Sequence, residues 1–306
     1  MRCPKVIVDA VNDVLTKAKE MDSLEGRIDK PYKHFPPAKG ADSAKYPKIA
    51  HVETSVQRQD ANYMGRYIEH AIAQIPVDEI ETAARDGYPT SLVIAAQPYR
   101  DQIVSHLESA GYHVDTRSDS VNKLDREVGL SILKVDGVSN LGWRILLGAD
   151  TPYFLKDAIV ATADGKRRLV DVLPIEYRER MLAEADGYEP PEEIEAETHA
   201  PSKVPTVKVT SFEGAKGLSA QHVYISGLHN GELPHDLASI KDLEICKFVV
   251  GLTRTRKKCA LIHTRNFAGK WKTPSSFISW IHHARLEFIK IDAQYWKQQT
   301  RETSED

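Results

Sequence analysis

The sequence predicts an α/β protein, a parallel sheet domain interrupted by a small, mostly helical insertion. Three observations predict this. Short apolar runs of strand type alternate with segments of helical period up to about residue 116, and the same alternation resumes after about residue 201. The stretch between them is helical and irregular, then acidic and proline-bearing.

Taken in order, residues 4–20 read as an amphipathic helix, with Pro4 suited to a first turn and Ile7, Val11, Val14 and Leu15 at helical spacing. Residues 30–48 carry Pro31, Pro36, Pro37, Gly40 and Pro47 and are expected to be a loop. A short strand over 48–56 and a helix over 60–75 follow. Ser91 to Ala96 reads as a strand, Arg100 to Ala110 as a helix ended by Gly111, and Tyr112 to Asp115 as the next strand. In the insertion, Trp143 is expected to anchor a core. After the acidic linker come a strand at 206–211, a turn and short helix to Leu218, a strand at 222–227, a helix at 243–252, a strand at 259–263 and a helix at 275–284. The expected organisation is therefore a first part of the sheet domain at 1–116, an insertion with its linker at 117–200, a second part at 201–290, and a polar tail at 291–306.

Composition bounds the function less than charge distribution does. The chain of 306 residues carries a formal net charge of −3, so bulk charge does not select nucleic acid. Its arrangement is uneven: between Glu176 and Glu197 only Arg178 and Arg180 are basic, whereas residues 251–280 hold no Asp or Glu but hold Arg254, Arg256, Lys257, Lys258, Arg265, Lys270 and Lys272. Such asymmetry suits a polyanion-facing surface. Cys3, Cys246 and Cys259 fit no zinc or redox spacing and read as free thiols of a cytoplasmic protein. The twelve histidines show no metal-ligand spacing, so no metal site is expected in the chain itself, and no apolar run is long enough for a membrane span.

The chemistry is concentrated in a few segments. Val209 to Pro234 reads VTSFEGAKGLSAQHVYISGLHNGELP. Gly214, Ala215 and Gly217 are small enough for backbone to approach a phosphate, and Ser211 adds a hydroxyl without bulk. Leu243 to Ile262 reads LEICKFVVGLTRTRKKCALI, a helix that ends in Thr253–Arg254 and leads into a strand. The first segment resembles motif V, and the second motif VI, of UvrD/Rep-type superfamily 1 DNA helicases. The segment after Met1, RCPKVIVDAVNDV, is similar to the stretch beginning at the arginine of motif IV, and SLVIAAQPYRDQIVSHLESAGYHV, from Ser91, looks like a further strand–helix–strand of that family.

The resemblance implies a RecA-like (P-loop NTPase-like) second motor domain. It implies that Arg254 and Arg2 act on the γ-phosphate of ATP, that Gly217, Ser219 and Arg254 contact the nucleotide, and that Thr210, Ser211 and Lys216 contact single-stranded DNA. A guanidinium suits the first task because it stays charged and forks onto phosphate oxygens. Trp271, an aromatic among Lys270 and Lys272, is a further candidate for stacking on bases, and Tyr99 or Arg100 would face DNA. There are departures. Met1 stands where the family has an aromatic, Ser219 where it has a glutamate for the ribose, and Glu213 where it has a histidine. No G-x-x-x-x-G-K-[ST] loop occurs, and the acidic pair Asp78–Glu79 sits at a helix end and is rejected as a magnesium site. ATP, with Mg²⁺ held by a partner domain, is thus the expected cofactor. The expected partners are single-stranded DNA and an N-terminal helicase half carrying the phosphate loop. The alternative is a catalytically inactive DNA- or protein-binding module with the same fold.

Overall fold

A computed structural model describes residues 3–24, 36–58, 61–116, 121–150, 152–162, 167–189 and 203–302. The chain divides into two compact units, one formed by Met1–Thr116 with Ala200–Asp306 and the other by Arg117–His199.

The larger unit is built on seven parallel strands, labelled in chain order: β1 Ile49–Thr54, β2 Ser91–Ala95, β3 Val114–Asp115, β4 Val207–Thr210, β5 Ala220–Ser226, β6 Thr255–Thr264 and β7 Leu286–Ile291. Their order across the sheet is β7-β1-β6-β5-β2-β4-β3, and every pair is parallel. This is the α/β, RecA-like sheet that the sequence predicts. A parallel sheet needs a covered face on each side, and the strand sequences supply both. In β2, Leu92 and Ile94 join the apolar cluster of the helices Lys5–Glu20 and Asp242–Thr253. Val93 and Ala95 join that of Tyr63–Ala73 and Gln97–Ser109. Helix starts follow local chemistry: the Asn62 side chain accepts from Gly65 N at 2.8 Å, and Glu244 accepts from Lys241 N at 3.1 Å.

Four sequence expectations are corrected. Residues 36–45 form a helix, not a loop, because Pro36 and Pro37 fall in its first turn, where a missing amide hydrogen leaves no bond unmade. The segment Phe212–Gly217 is a series of turns with no helix start, since Gly217 adopts φ +82° and breaks the helical path. The expected helix at 275–284 shrinks to Ser276–Trp280 and a 3₁₀ turn His283–Arg285. Beyond it lies β7, an edge strand missed because half its side chains face outward, and a helix Ala293–Glu302 occupies much of the expected polar tail.

The smaller unit is helical, with Val121–Val135, Asn140–Asp150, Pro152–Ala161, Leu169–Val172 and Ile175–Gly187. Trp143 is fully buried among Leu130, Leu133, Leu146 and Met181, and its Nε1 donates to the Gly137 carbonyl at 2.9 Å. That is the core anchor expected from sequence. Arg126 ties the surface of this unit together, reaching Asp150 at 3.0 Å and Glu184 at 2.7 Å. Among the described residues, no helix is long and apolar enough to cross a membrane.

Candidate functional site

The segment with the strongest motif runs from one edge of the sheet to the other. β4 ends at Thr210, level with Ile94, and β5 begins at Ala220, level with Thr255. Both strands run the same way, so residues 211–219 must cross back over one sheet face. They do so by seating Ala215 in the core, with Phe212 and Leu218 packed against it.

At the edge where β5 and β6 begin, Arg254 caps the helix Asp242–Thr253. Its Nη1 donates to the Leu218 carbonyl at 3.0 Å, its Nε to the Val250 carbonyl at 3.0 Å and its Nη2 to Thr253 Oγ1 at 3.1 Å. The Arg254 carbonyl in turn accepts from Ala220 N at 3.1 Å. The guanidinium is thereby latched to the turn that holds Gly217 and Ser219. Gly217 is exposed, with open space on the side where a Cβ would stand, and Ser219 is 8% exposed. These three candidate nucleotide residues form one cluster. Arg2 lies outside the described residues; its neighbour Cys3 is buried and places Sγ 3.5 Å from the Thr253 carbonyl, at the same helix end.

The nucleic-acid candidates are more scattered. Thr210 is buried, and a Cβ on Gly214 would collide with its Oγ1. The Ser211 hydroxyl accepts from Gly214 N at 3.1 Å, so it shapes the turn. Lys216 is exposed beside Gly217. Glu213 pairs with Lys247 at 2.6 Å rather than with Lys216, and that bond holds its carboxyl below the usual range. Trp271 is 75% exposed on a hairpin beyond the end of β6, with the Arg265 guanidinium 5.7 Å from its ring centre.

The basic residues of 251–280 therefore do not make one patch. β6 has ten residues, about 30 Å at ~3.3 Å per residue. Arg254, Arg256 and Lys257 lie at its start, and Arg265, Lys270 and Lys272 beyond its end.

Sequence reasoning missed two polar networks. At the start of the strands, Glu79 is buried and receives His222 Nε2, Lys45 Nζ and Tyr46 Oη, each at 2.7 Å. Burial raises the Glu79 carboxyl, but the hydrogen bonds from His222, Lys45 and Tyr46 outweigh it and hold it below the usual range. His222 is lowered by its own burial, so it serves as a neutral donor. The acidic pair rejected as a magnesium site is thus half consumed by this network.

At the other end, His229 is fully buried. Its Nε2 accepts from Thr264 N at 2.9 Å, which leaves Nδ1 to donate to Tyr99 Oη at 3.0 Å. Tyr99 Oη donates to Glu232 at 2.8 Å, and Lys272 reaches the same carboxylate at 2.5 Å. Against its partial burial, the His229 ring 3.5 Å away and the bonds from Lys272 and Tyr99 hold Glu232 down to about 2. Tyr99, expected to face DNA, is turned inward and seated on Gly227, whose φ of +76° and missing Cβ make room for the ring. The only sequence signal for this network was the glycine-bounded turn GLHNGELP itself.

No protein-family model matches the chain, and no curated protein matches it. A solved structure, the C-terminal domain of a possible DNA helicase from Lactobacillus plantarum WCFS1, aligns over 94% of this chain and 98% of that one, at 11% identity and a TM-score of 0.37. A likeness at that level carries no argument about function.

Proposed function

We propose that the chain is the C-terminal motor half of an ATP-dependent DNA helicase or translocase of UvrD/Rep type, acting in repair or recombination, whose phosphate loop is supplied from outside these 306 residues. One observation carries the reading. The arginine that resembles the motif VI finger donates to Leu218 in the turn that resembles motif V, while the strand leading into that turn ends at the opposite edge with Ser211 next in sequence. A nucleotide site and a nucleic-acid site would then be the two ends of one nine-residue connection.

The donor set fits a triphosphate. Arg254 carries a permanent positive charge, Gly217 leaves its backbone open to close approach, and Ser219 offers a hydroxyl beside them. When a phosphate-loop domain presents ATP, Arg254 exchanges the Leu218 and Val250 carbonyls for phosphate oxygens. Hydrolysis chemistry itself, with Mg²⁺, belongs to the partner domain. Release of Leu218 would loosen the end of the 211–219 connection next to β5, and that shift would be carried back along it to Thr210 and Ser211, where the connection leaves β4. Cycles of this kind convert nucleotide closure into movement along a strand.

The test is reconstitution. Mixed with a phosphate-loop half of the same motor, the chain should restore DNA-stimulated ATPase, and Arg254→Ala should lower kcat by about 10³-fold or more, with Arg254→Lys rescuing little. An Arg254→Ala chain that supports full ATPase would overturn the reading. A second reading, a nucleic-acid- or protein-binding module without nucleotide chemistry, is favoured by Ser219, which stands where the resembling family has a ribose-binding glutamate. It predicts salt-dependent DNA binding that ignores both ATP and Arg254→Ala.

A further inference from the structure

The smaller unit shows more apolar surface than its size accounts for. Residues 117–199 are a little over a quarter of the chain, yet seven of the fourteen large apolar side chains exposed among the described residues lie there. Such a concentration marks an interaction surface. Val128, Val135, Val138 and Leu141 belong to one hairpin, formed by the helices Val121–Val135 and Asn140–Asp150.

The two helices present matching faces. Leu130 and Leu133 on the first, and Trp143 and Leu146 on the second, are buried in the core of the unit. At ~100° per residue, Val128, Ile132 and Val135 share the opposite side of the first helix, and Leu141 and Ile145 that of the second. Glycines bring these two faces together. A Cβ on Gly142 would lie 3.1 Å from Ile132 Cγ2, and one on Gly129 would lie 3.2 Å from Ile145 Cγ2. The five side chains therefore make one continuous apolar face, open to solvent where Val135 is 89% and Leu141 61% exposed.

The flanks of that face carry opposite charges. Gly129 and Gly142 mark where the helices meet, so helical spacing puts Glu127 on the outer flank of the first helix and Arg144 on the outer flank of the second. Neither has an ion-pair partner among the described residues. A partner of a single charge sign would satisfy one flank only, whereas a copy of the same hairpin satisfies both.

We infer that this face docks a second copy of the chain, hairpin on hairpin, as an antiparallel four-helix bundle. A two-fold axis running along the hairpin lays the first helix of each copy over the second helix of the other. Glu127 then stands beside Arg144 of the other copy, offset by about one turn, ~5 Å, along the axis, and the pair occurs twice. The helices have fifteen and eleven residues, which makes a small interface, so a dissociation constant on the order of 10 μM is expected. The inference is independent of the nucleotide and nucleic-acid readings.

The experiment is sedimentation equilibrium of the full chain between about 1 and 100 μM, where monomer should pass to dimer. Val135→Glu, at a position whose side chain packs on almost nothing within the chain, should weaken the dimer about tenfold or more and leave far-UV circular dichroism unchanged. Arg144→Glu and Glu127→Arg should each weaken it about fivefold, since each sets like charges together twice. Glu127→Arg combined with Arg144→Glu should restore the wild-type constant, which reads the pairing itself and not the fold. A wild type that stays monomeric at the highest concentration overturns the inference, as does a dimer indifferent to Val135→Glu. A double reversal that recovers nothing overturns the two-fold pairing.

Discussion

The two edges of the sheet use similar residues to opposite effect. Where β5 and β6 begin, the cations are spent on carboxylates and an aromatic ring. Lys45 and Lys257 reach Glu79, Lys39 holds Asp42, and Arg256 lies 3.9 Å over the Tyr88 ring. Arg254 is held there as well, by peptide carbonyls. Where β6 ends, Lys272 shares Glu232, but Arg265 and Lys270 face no carboxylate among the described residues and Trp271 stands out in solvent. A carboxylate as deeply buried as Glu79 has to be compensated by nearby donors, so the first edge is charge-balanced and structural around its one latched arginine. The second edge leaves positive charge and aromatic surface exposed.

That contrast is breakable at Glu79. Glu79→Ala should cost about 3–5 kcal/mol, because it strands His222 without its acceptor and removes the partner of Lys45 and Tyr46. Urea denaturation reads this directly. The pH dependence has a definite sign. The Glu79 carboxyl is held below its ordinary value of 4.5 in the folded chain, so its stabilisation is complete above about that pH and fades as pH falls further. A Glu79→Gln chain should lose stability at neutral pH and show a flatter acid limb than the wild type. An unchanged acid limb would mean that the network contributes nothing through charge. The corresponding Glu232→Gln change, at a partly exposed carboxylate, should move the same limb less.

The next effect in size tests how the second edge is supported. Gly227→Ala places a Cβ 2.5 Å from Tyr99 Cδ2 at a φ of +76°. Left-handed strain and overpacking together should cost about 3 kcal/mol. If Tyr99 shifts to relieve the contact, its hydrogen bond to Glu232 is lost too, and the denaturation midpoint should fall with it. A variant with wild-type stability would show that Tyr99 is not seated as described.

How much of this was legible in the sequence depends on range. Six of the seven strands and the sheet's two covered faces follow from local pattern, as in β2, where alternate side chains enter opposite cores, whereas the edge strand β7 does not. Trp143 was readable as the core anchor of the insertion, and it is fully buried there. The cluster of Arg254, Gly217 and Ser219 was legible through the motifs that place them at the boundaries of adjacent strands. What sequence distance hid is long-range pairing. Glu79 and His222 are 143 residues apart, and Tyr99 and His229 are 130 apart; nothing local marks either pair. The basic run of 251–280 misled in the other direction, because a buried strand inside it separates its halves by the width of the sheet. Helix Pro36–Lys45 was hidden by prolines that end a helix when internal but open one when first.

The smallest predicted effect sharpens the contrast at its exposed end. Trp271 is 75% exposed and its only described ring contact is the Arg265 guanidinium, so Trp271→Ala should change stability by less than about 0.5 kcal/mol. If bases stack on this ring, octathymidylate binding should weaken about five-fold. Arg265→Ala should act differently, lowering the salt slope of that binding by about one contact. Combined with Trp271→Ala, its effect should be less than additive if the guanidinium orients the ring. Full additivity would mean that the two side chains meet the strand independently, and that the hairpin presents two contacts rather than one stacked pair.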